Sequence, residues 1–203
     1  MYAIVEDKKV IQTFNNPRKL IRNDVRYSTK IFSLWSVEEK KAIGLYEVEE
    51  DNLKKKDDEY YINTNQTIAY KTTGDKVVAS YGTATAKEIE DRNEVDDEGN
   101  PLLDDKGNQV VTKGLKTIKK ELINNQCENL LAPSDWRVIK AKETDTEMDS
   151  GWKTWRASVR AKCNSMQTQI DNASNVDALA TLFTYTTTDG VTTRPLGEFP
   201  VKE

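Results

Sequence analysis

Side chains that could do chemistry are few in this chain. Adjacent carboxylates stand at Glu38-Glu39 and Asp96-Asp97, thiols at Cys127 and Cys163, and histidine is absent altogether. A glycosidase-type pair needs two acids about 5–9.5 Å apart across a cleft. Acids adjacent in sequence on turns do not predict that separation, and charge runs of this kind are ordinarily solvated surface. Histidine is the commonest general base near neutral pH and a frequent metal ligand. Without it, Ser-His-Asp and Cys-His catalysis are excluded, and two cysteines alone cannot close a four-ligand zinc site. Cys163 lies in an apolar helical stripe, which reads as a buried free thiol. A Cys127–Cys163 disulfide fits geometrically but is disfavoured in a reducing compartment.

The second candidate chemistry is calcium binding. DDEGNPLL (96–103) is followed at once by DDKGNQVV (104–111), two copies of period eight with Gly-Asn at each turn. A calcium loop requires ligands at alternating positions and a bidentate glutamate at the twelfth, a spacing missing here. The alternative is a protruding acidic β-hairpin, with Leu102, Leu103, Val110 and Val111 ending its strands and able to touch a neighbour. No cofactor or metal is expected.

The elements that must carry these residues change period along the chain. Residues 1–82 read mostly as strand. YAIV and KVIQTF flank a turn at Glu6-Asp7-Lys8, and DVRYSTKIF (24–32) is β-branched and aromatic. One short helix follows in SVEEKKAIG, where Ser36 and Glu39 form a capping box and Gly44 stops it. LYEVEE then alternates, and residues 60–64, 67–72 and 76–81 read as three further strands. From Gly114 the period becomes 3.6. Leu115, Ile118, Leu122 and Ile123 share one helical face, followed by Leu130 and Leu131. Pro133 ends that helix, and Ser134-Asp135 caps a second in which Trp136 and Ile139 share a face. In a third, Trp152, Trp155, Val159, Cys163, Met166 and Ile170 form a stripe, with Arg156, Arg160 and Gln167 on the solvent side. A short fourth helix carries Val176, Leu179, Leu182 and Phe183. Asp189-Gly190 marks a hairpin before an extended tail, PLGEFPVKE.

The expected fold is therefore α+β: a small antiparallel β domain with one helix (1–86), an acidic repeat-bearing hairpin or linker (87–113), a helical bundle (114–185), and a terminal hairpin and tail (186–203). Two modest cores suit a chain that is 36% hydrophobic and 32% charged. The tryptophans are expected to fill the helical core, since a buried aromatic removes about 150–250 Å² from water. On this reading the structural core is Trp136, Ile139, Trp152, Trp155, Val159, Met166 and Ile170. Trp35 is the one ring placed to act instead as an exposed stacking platform for a sugar or other ligand, with Tyr60 and Tyr61 as companions.

A net charge of −4 without an extended basic patch argues against a nucleic-acid partner. No stretch approaches the ~18 apolar residues of a membrane span. The first residues lack the apolar run of a secretory signal, so the cytoplasm is the expected compartment.

Two stretches resemble a known family. ENLLAPSDWRVIKAKETD followed by SGWKTWRASVRAKCNSMQTQIDNASNVDAL is similar to the C-terminal helical region of bacteriophage tail-fibre assembly and tail-assembly-chaperone-like proteins. The matching residues are Leu130, Leu131, Ser134, Asp135, Trp136, Val138, Ile139, Glu143, Trp155, Arg156, Val159 and Arg160. IFSLWSVEEKKAIGLYEVEE (31–50) resembles the Leu-Trp-x-x-Glu-Glu/Arg-x-x-Ile-Gly stretch of related tail proteins. The chain departs from the pattern at Arg137, where the family often has Tyr, and at Asp149-Ser150-Gly151, where it often has Pro. The 87–113 repeat lies outside the resemblance. The resemblance implies a non-enzymatic phage tail-associated protein that binds a tail or tail-fibre subunit. It would serve as assembly chaperone or as retained virion component, in the host cytoplasm or the virion tail, with self-association in the virion as a further possibility. The contact surface would include Trp35, Leu102, Leu103, Val110 and Val111. The competing expectation is a carbohydrate- or ligand-binding module using exposed aromatics of the β domain.

Overall fold

An alternation of strand and helix residues gives two compact units, Met1–Thr85 and Ala86–Glu203, in a computed structural model that describes residues 1–64 and 66–202. The fold is α+β, with the five-stranded sheet and two short helices in the first unit and the long helices in the second. The second unit includes the repeat-bearing segment and the tail.

The first unit is built on a five-stranded mixed sheet. Its strands are β1 (Tyr2–Glu6), β2 (Lys9–Phe14), β5 (Leu45–Asp51), β7 (Thr67–Lys71) and β8 (Lys76–Ser80), in the order β2-β1-β5-β8-β7. All neighbours are antiparallel except β5 and β8, which are parallel, so the sheet departs from the all-antiparallel expectation. Ala3, Ile4 and Val5 form a continuous apolar run because both faces of β1 are covered. Ile4 packs with Leu20, Ile31, Phe32 and Leu45 on one side, and Ala3 and Val5 with Val77 on the other. A hairpin of β3 (Leu20–Arg22) and β4 (Val25–Tyr27) supplies Leu20 to that core. DVRYSTKIF is therefore not one strand. Its last residues open α1 (Ile31–Leu34), which turns Ile31 and Phe32 inward. The capping box of α2 (Val37–Ala42) forms as its sequence dictates. Ser36 Oγ accepts from Glu39 N at 3.2 Å, and Glu39 Oε2 accepts from Ser36 N at 2.8 Å. Gly44 follows at φ +74°, where a side chain would strike the carbonyl of Val5. Short strands β6 (Tyr61–Ile62) and β9 (Thr85–Ala86) complete the run.

The second unit begins with β10 (Arg92–Asn93) and β11 (Val111–Thr112), which enclose the octad repeat. Then come α3 (Leu115–Leu131), a 3-10 turn (Ala132–Ser134), α4 (Asp135–Glu143), α5 (Ser150–Asp171) and α6 (Val176–Phe183). A hairpin of β12 (Thr186–Thr188) and β13 (Val191–Thr193) turns at Asp189-Gly190. The core lies between α3, α5 and α6. Val159, Cys163, Met166 and Ile170 of the α5 stripe are buried, with Leu179 and Leu196. On α3 the buried row is Leu115, Lys119, Ile123 and Cys127, at i, i+4 steps. Ile118, Leu122 and Leu130, expected inside, are exposed. The helix is rotated so that Lys119 lays its stem in the core and its ammonium 4.4 Å from the ring centre of Phe183. A lysine thus lies on the buried face, whereas the apolar pattern puts Ile118 and Leu122 there.

Candidate interaction face

Four expected core positions, Trp136, Ile139, Trp152 and Trp155, are not sealed. The apolar stripe of α5 alone predicts Arg156 on the solvent side. It is buried, and it satisfies three groups at the end of α3 and the start of α4. Nη1 donates to the carbonyl of Leu131 at 2.8 Å and to Ser134 Oγ at 2.5 Å, and Nη2 donates to Asp135 Oδ1 at 2.6 Å. Ser134 is fully buried, and its hydroxyl donates to the Leu131 carbonyl at 2.8 Å. This node fastens α4 to α5 by polar contacts at its first turn. No residue of α4 is buried.

The apolar residues of α4 consequently face water. Trp136 is 52% exposed and Ile139 58%, with Val138 exposed between them. Their assignment to the core is corrected: the buried contacts at this end are polar, made by Ser134 and Arg156, while Trp136 and Ile139 are exposed. Trp152 and Trp155 are half-buried at the N-terminal end of α5. Their rings meet edge-to-face at 5.6 Å. The Arg137 guanidinium lies over both Trp136 and Trp152, at 4.6 and 4.4 Å from the ring centres, and the Lys202 ammonium stands 5.4 Å from the ring centre of Trp152. Trp155 Nε1 donates to the carbonyl of Pro200 at 3.0 Å, so the tail is held against α5. Lys162 helps by donating to the carbonyl of Leu196 at 2.9 Å. The result is a ladder of indole and cationic groups ending in an open apolar helix face. Lys140, Ala141, Met148 and Asp149 frame a small depression of about 170 Å³ beside it.

The octad segment differs from a single hairpin. Glu94, Leu102 and Val110 stand eight residues apart and close a ring of backbone hydrogen bonds. Leu102 N donates to Glu94 O at 2.9 Å, Val110 N to Leu102 O at 2.8 Å, and Glu94 N to Val110 O at 2.9 Å. Three antiparallel arms radiate from this ring: the 96–100 turn, the 104–108 turn, and the β10–β11 base. Gln109 Nε2 sits at the centre, 2.7, 3.1 and 2.9 Å from the carbonyls of Glu94, Leu102 and Val110. Leu102, Leu103 and Val111 are exposed, and Val110 is half-buried. The apolar and acidic patterns of the sequence do not single out Gln109 or Val95; the signal for Val95 is that it stands at the same octad position as Leu103 and Val111.

The acidic turns spend their carboxylates on backbone. Asp96 Oδ1 accepts from Asn100 N and Glu98 N, and Asp104 Oδ1 from Asn108 N and Lys106 N, at 2.8–3.0 Å. The amide protons of Asn100 and Asn108 hold these two carboxyls below the usual carboxylate range. Glu39 is used in the capping box. Among the described residues, no group of three or more Cys, Asp or Glu is placed to hold a metal ion. Both thiols are free and buried, and burial pushes Cys127 up to about 11. No helix of the described chain is long and apolar enough to cross a membrane.

In the first unit, Trp35 meets Tyr27 edge-to-face at 5.5 Å and packs on the Ile4 core, so it is half-buried and not a free platform. Tyr60 and Tyr61 are buried. Asp75 gathers three donors at the β7–β8 turn: Tyr46 Oη and Tyr70 Oη at 2.8 Å, and the Lys41 ammonium at 3.2 Å. An open groove of about 860 Å³ runs past Lys8, Glu49, Asp51, Tyr70, Lys71 and Lys76. Its charges alternate in sign, and Lys76 is paired with Glu49 at 2.7 Å. Of the two units, the second therefore presents the more concentrated apolar surface on one short element. No known protein family, curated protein or solved structure matches this chain.

Proposed function

We propose that the chain acts by binding rather than by turnover. It is a non-enzymatic bacteriophage tail-associated protein that engages a tail or tail-fibre subunit, as an assembly chaperone or as a retained virion component. The observation that carries this reading is α4. A nine-residue helix with no buried residue holds Trp136, Val138 and Ile139 in water, and exposed apolar clusters of this kind mark surfaces that meet another molecule. The same stretch carries the resemblance to the tail-assembly proteins. Its residues divide into two sets. Ser134, Asp135 and Arg156 build the node, and Trp136, Val138 and Ile139 form the face it presents. Tryptophan at an interface supplies large contact area at low conformational cost.

Co-expression with the adjacent tail-fibre gene tests the proposal. The expected result is more soluble fibre with the wild-type chain, and loss of that gain with Trp136→Ala and Ile139→Asp together. An unchanged yield of soluble fibre counts against the chaperone form. Mass spectrometry of purified virions separates a retained component, present in stoichiometric copies, from a transient one.

A further inference from the structure

We propose that Cys127 and Cys163 form a modification site: a peroxide oxidises them to an intrachain disulfide that staples α3 to α5. Both thiols lie within the second unit, and the inference holds whatever the α4 face meets.

The register of the two helices sets the thiols opposite each other. Three contacts mark the pairing of α3 with α5. Lys120 Nζ meets Asp171 Oδ1 at 2.8 Å, Gln167 Nε2 donates to Asn124 Oδ1 at 2.8 Å, and Arg156 Nη1 donates to the Leu131 carbonyl at 2.8 Å. As α3 advances from 120 to 131, its partner positions recede from 171 to 156, so the helices run antiparallel. Cys127 stands three residues beyond Asn124 and Cys163 four before Gln167, so each is one turn further along the shared face. Cys163 Sγ touches Asn124 Oδ1 at 3.6 Å, and the Cys163 side chain is a direct hydrogen-bonding neighbour of the Cys127 thiol. Thiols that already meet bring their Cα atoms toward the about 4.4–6.8 Å that a disulfide spans.

The surroundings give the two sulfurs different roles. Both cysteines are buried, but Asn124 is exposed and Gln167 half-buried beside Cys163. A pair of amides therefore separates Cys163 Sγ from water, a cover thin enough for a molecule as small as hydrogen peroxide. Gln167 Nε2 donates to this sulfur at 3.3 Å, which supports the charge it carries as it attacks. Burial holds the Cys127 thiol above its ordinary value, so Cys127 waits in its protonated form. The Cys163 sulfur attacks one peroxide oxygen, the O–O bond breaks, and the departing hydroxide takes the thiol proton as water. The product is a sulfenic acid on Cys163. The Cys127 sulfur then attacks the Cys163 sulfur. The S–S bond forms, the S–O bond breaks, and a second water leaves with the Cys127 proton. Together the two thiols lose two electrons, and one peroxide becomes two waters. The bond closes the chain from 127 to 163, which contains the Arg156 node and all of α4. It therefore restricts the unfolded chain and holds the end of α3 that carries the node.

Treating the full chain with hydrogen peroxide, quenching with catalase and titrating thiols after denaturation tests the proposal. Two thiols should fall to none, at a rate independent of protein concentration, and dithiothreitol should restore both. A peptide map should show Cys127 joined to Cys163 within one chain, the one intrachain bond that two cysteines allow. The oxidised chain should melt at least about 5 °C above the reduced one, as a loop-closing bond in a small unit requires. In Cys127→Ala, Cys163 should stop at the sulfenic acid, captured by dimedone, with no gain in melting temperature. If that variant fails to fold, the comparison of reduced with oxidised wild-type chain carries the test alone. Two thiols that survive peroxide overturn the proposal. So do disulfide-linked dimers, and cysteines that pass to sulfinic acid without pairing. A disulfide that lowers the melting temperature also overturns it, because the bond would then form only by distorting the helix pair.

Discussion

Arg156 and Asp135 stand 21 positions apart in the chain, and their side chains meet at 2.6 Å. The contact does more than pair two charges, because the same guanidinium also serves Ser134 Oγ and the Leu131 carbonyl. The arginine side chain is almost wholly buried, whereas the aspartate side chain is more than half exposed. The two partners therefore have unequal weight. Removing a buried charged donor strands its acceptors without water, and removing an exposed acceptor lets solvent replace it.

Arg156→Ala is accordingly expected to destabilise the second unit by about 1–3 kcal/mol for the buried polar groups it leaves under-satisfied, with the lost packing of its stem in addition. Asp135→Ala should cost about 0.5–1.5 kcal/mol, near the value of one hydrogen bond. Urea unfolding followed by tryptophan fluorescence distinguishes them. Equal losses would show that the ion pair, and not the triple acceptor set, holds α4.

The tryptophans give a second contrast. Met166 and Ile170 are fully buried, and Met166→Ala should cost about 2–5 kcal/mol through transfer and cavity effects. Trp136→Ala removes a ring that is half in water and is expected to cost less than about 1 kcal/mol. Trp155 lies between them. The core reading of the sequence assigns its truncation about 3–5 kcal/mol. Half-burial lowers that, and its main consequence should be release of the tail from the Pro200 hydrogen bond, seen as protease access to residues 198–202.

How far the sequence reveals this arrangement depends on which force sets each element. The capping box at Ser36, the Asp189-Gly190 turn and the Val159–Ile170 stripe are local or periodic signals, and the structure follows them. The α3 face and the role of Arg156 are set by tertiary packing. Periodicity places Ile118 and Leu122 with Leu115. The packed face instead steps from Leu115 to Lys119, because a lysine stem can be buried where its ammonium reaches an aromatic ring. Arg156 beside an apolar stripe likewise reads as solvent-facing until the helix end that needs its donors is known. The interaction residues follow the same rule. Tryptophan identity alone favours a core, and only the position of the Arg156 node turns Trp136 outward. The parallel pairing of β5 with β8 is a long-range choice that alternation within either strand does not encode.

The Asp75 cluster sets a pH window for the first unit. Hydrogen bonds from Tyr70 and Tyr46, then from Lys41, lower the Asp75 carboxyl below its ordinary value. A group whose folded pKa is lowered stabilises the fold above its unfolded pKa and loses that contribution as pH falls through the folded one. Burial, then the bond to Asp75, raises the Tyr46 hydroxyl far above its ordinary value. A raised pKa has the opposite consequence: its contribution is complete below the unfolded value near 10 and declines as pH rises beyond it. The first unit should therefore lose stability both below the ordinary carboxylate range and above about pH 10. Asp75→Asn should flatten the acid limb. Absorbance titration at 295 nm should show Tyr46 ionising only with alkaline unfolding, and a normal titration of every tyrosine in the native state would contradict the cluster.

Gln109 provides the sharpest test of the junction. One side-chain nitrogen faces the carbonyls of Glu94, Leu102 and Val110, the same three residues whose backbone amides close the ring. Three carbonyl dipoles converging on one point repel one another unless a donor sits between them, and the amide is that donor. Gln109→Met keeps the length of the side chain and removes both protons. It should loosen the ring locally, at a cost of about 1–3 kcal/mol for the hydrogen bonds its two protons make, although each carbonyl keeps its backbone donor. Hydrogen exchange is the readout. The amides of Glu94, Leu102 and Val110 should exchange at least tenfold faster, a change of about 1.4 kcal/mol in opening free energy, while those of Ile123 and Val159 keep their protection. Gln109→Glu should act in the same direction and more strongly near neutral pH, since a carboxylate adds a negative charge where three negative dipole ends meet. Unchanged exchange in both variants would mean that the arms are held by their own turns, through Asp96 and Asp104, and that the central amide is incidental to the junction.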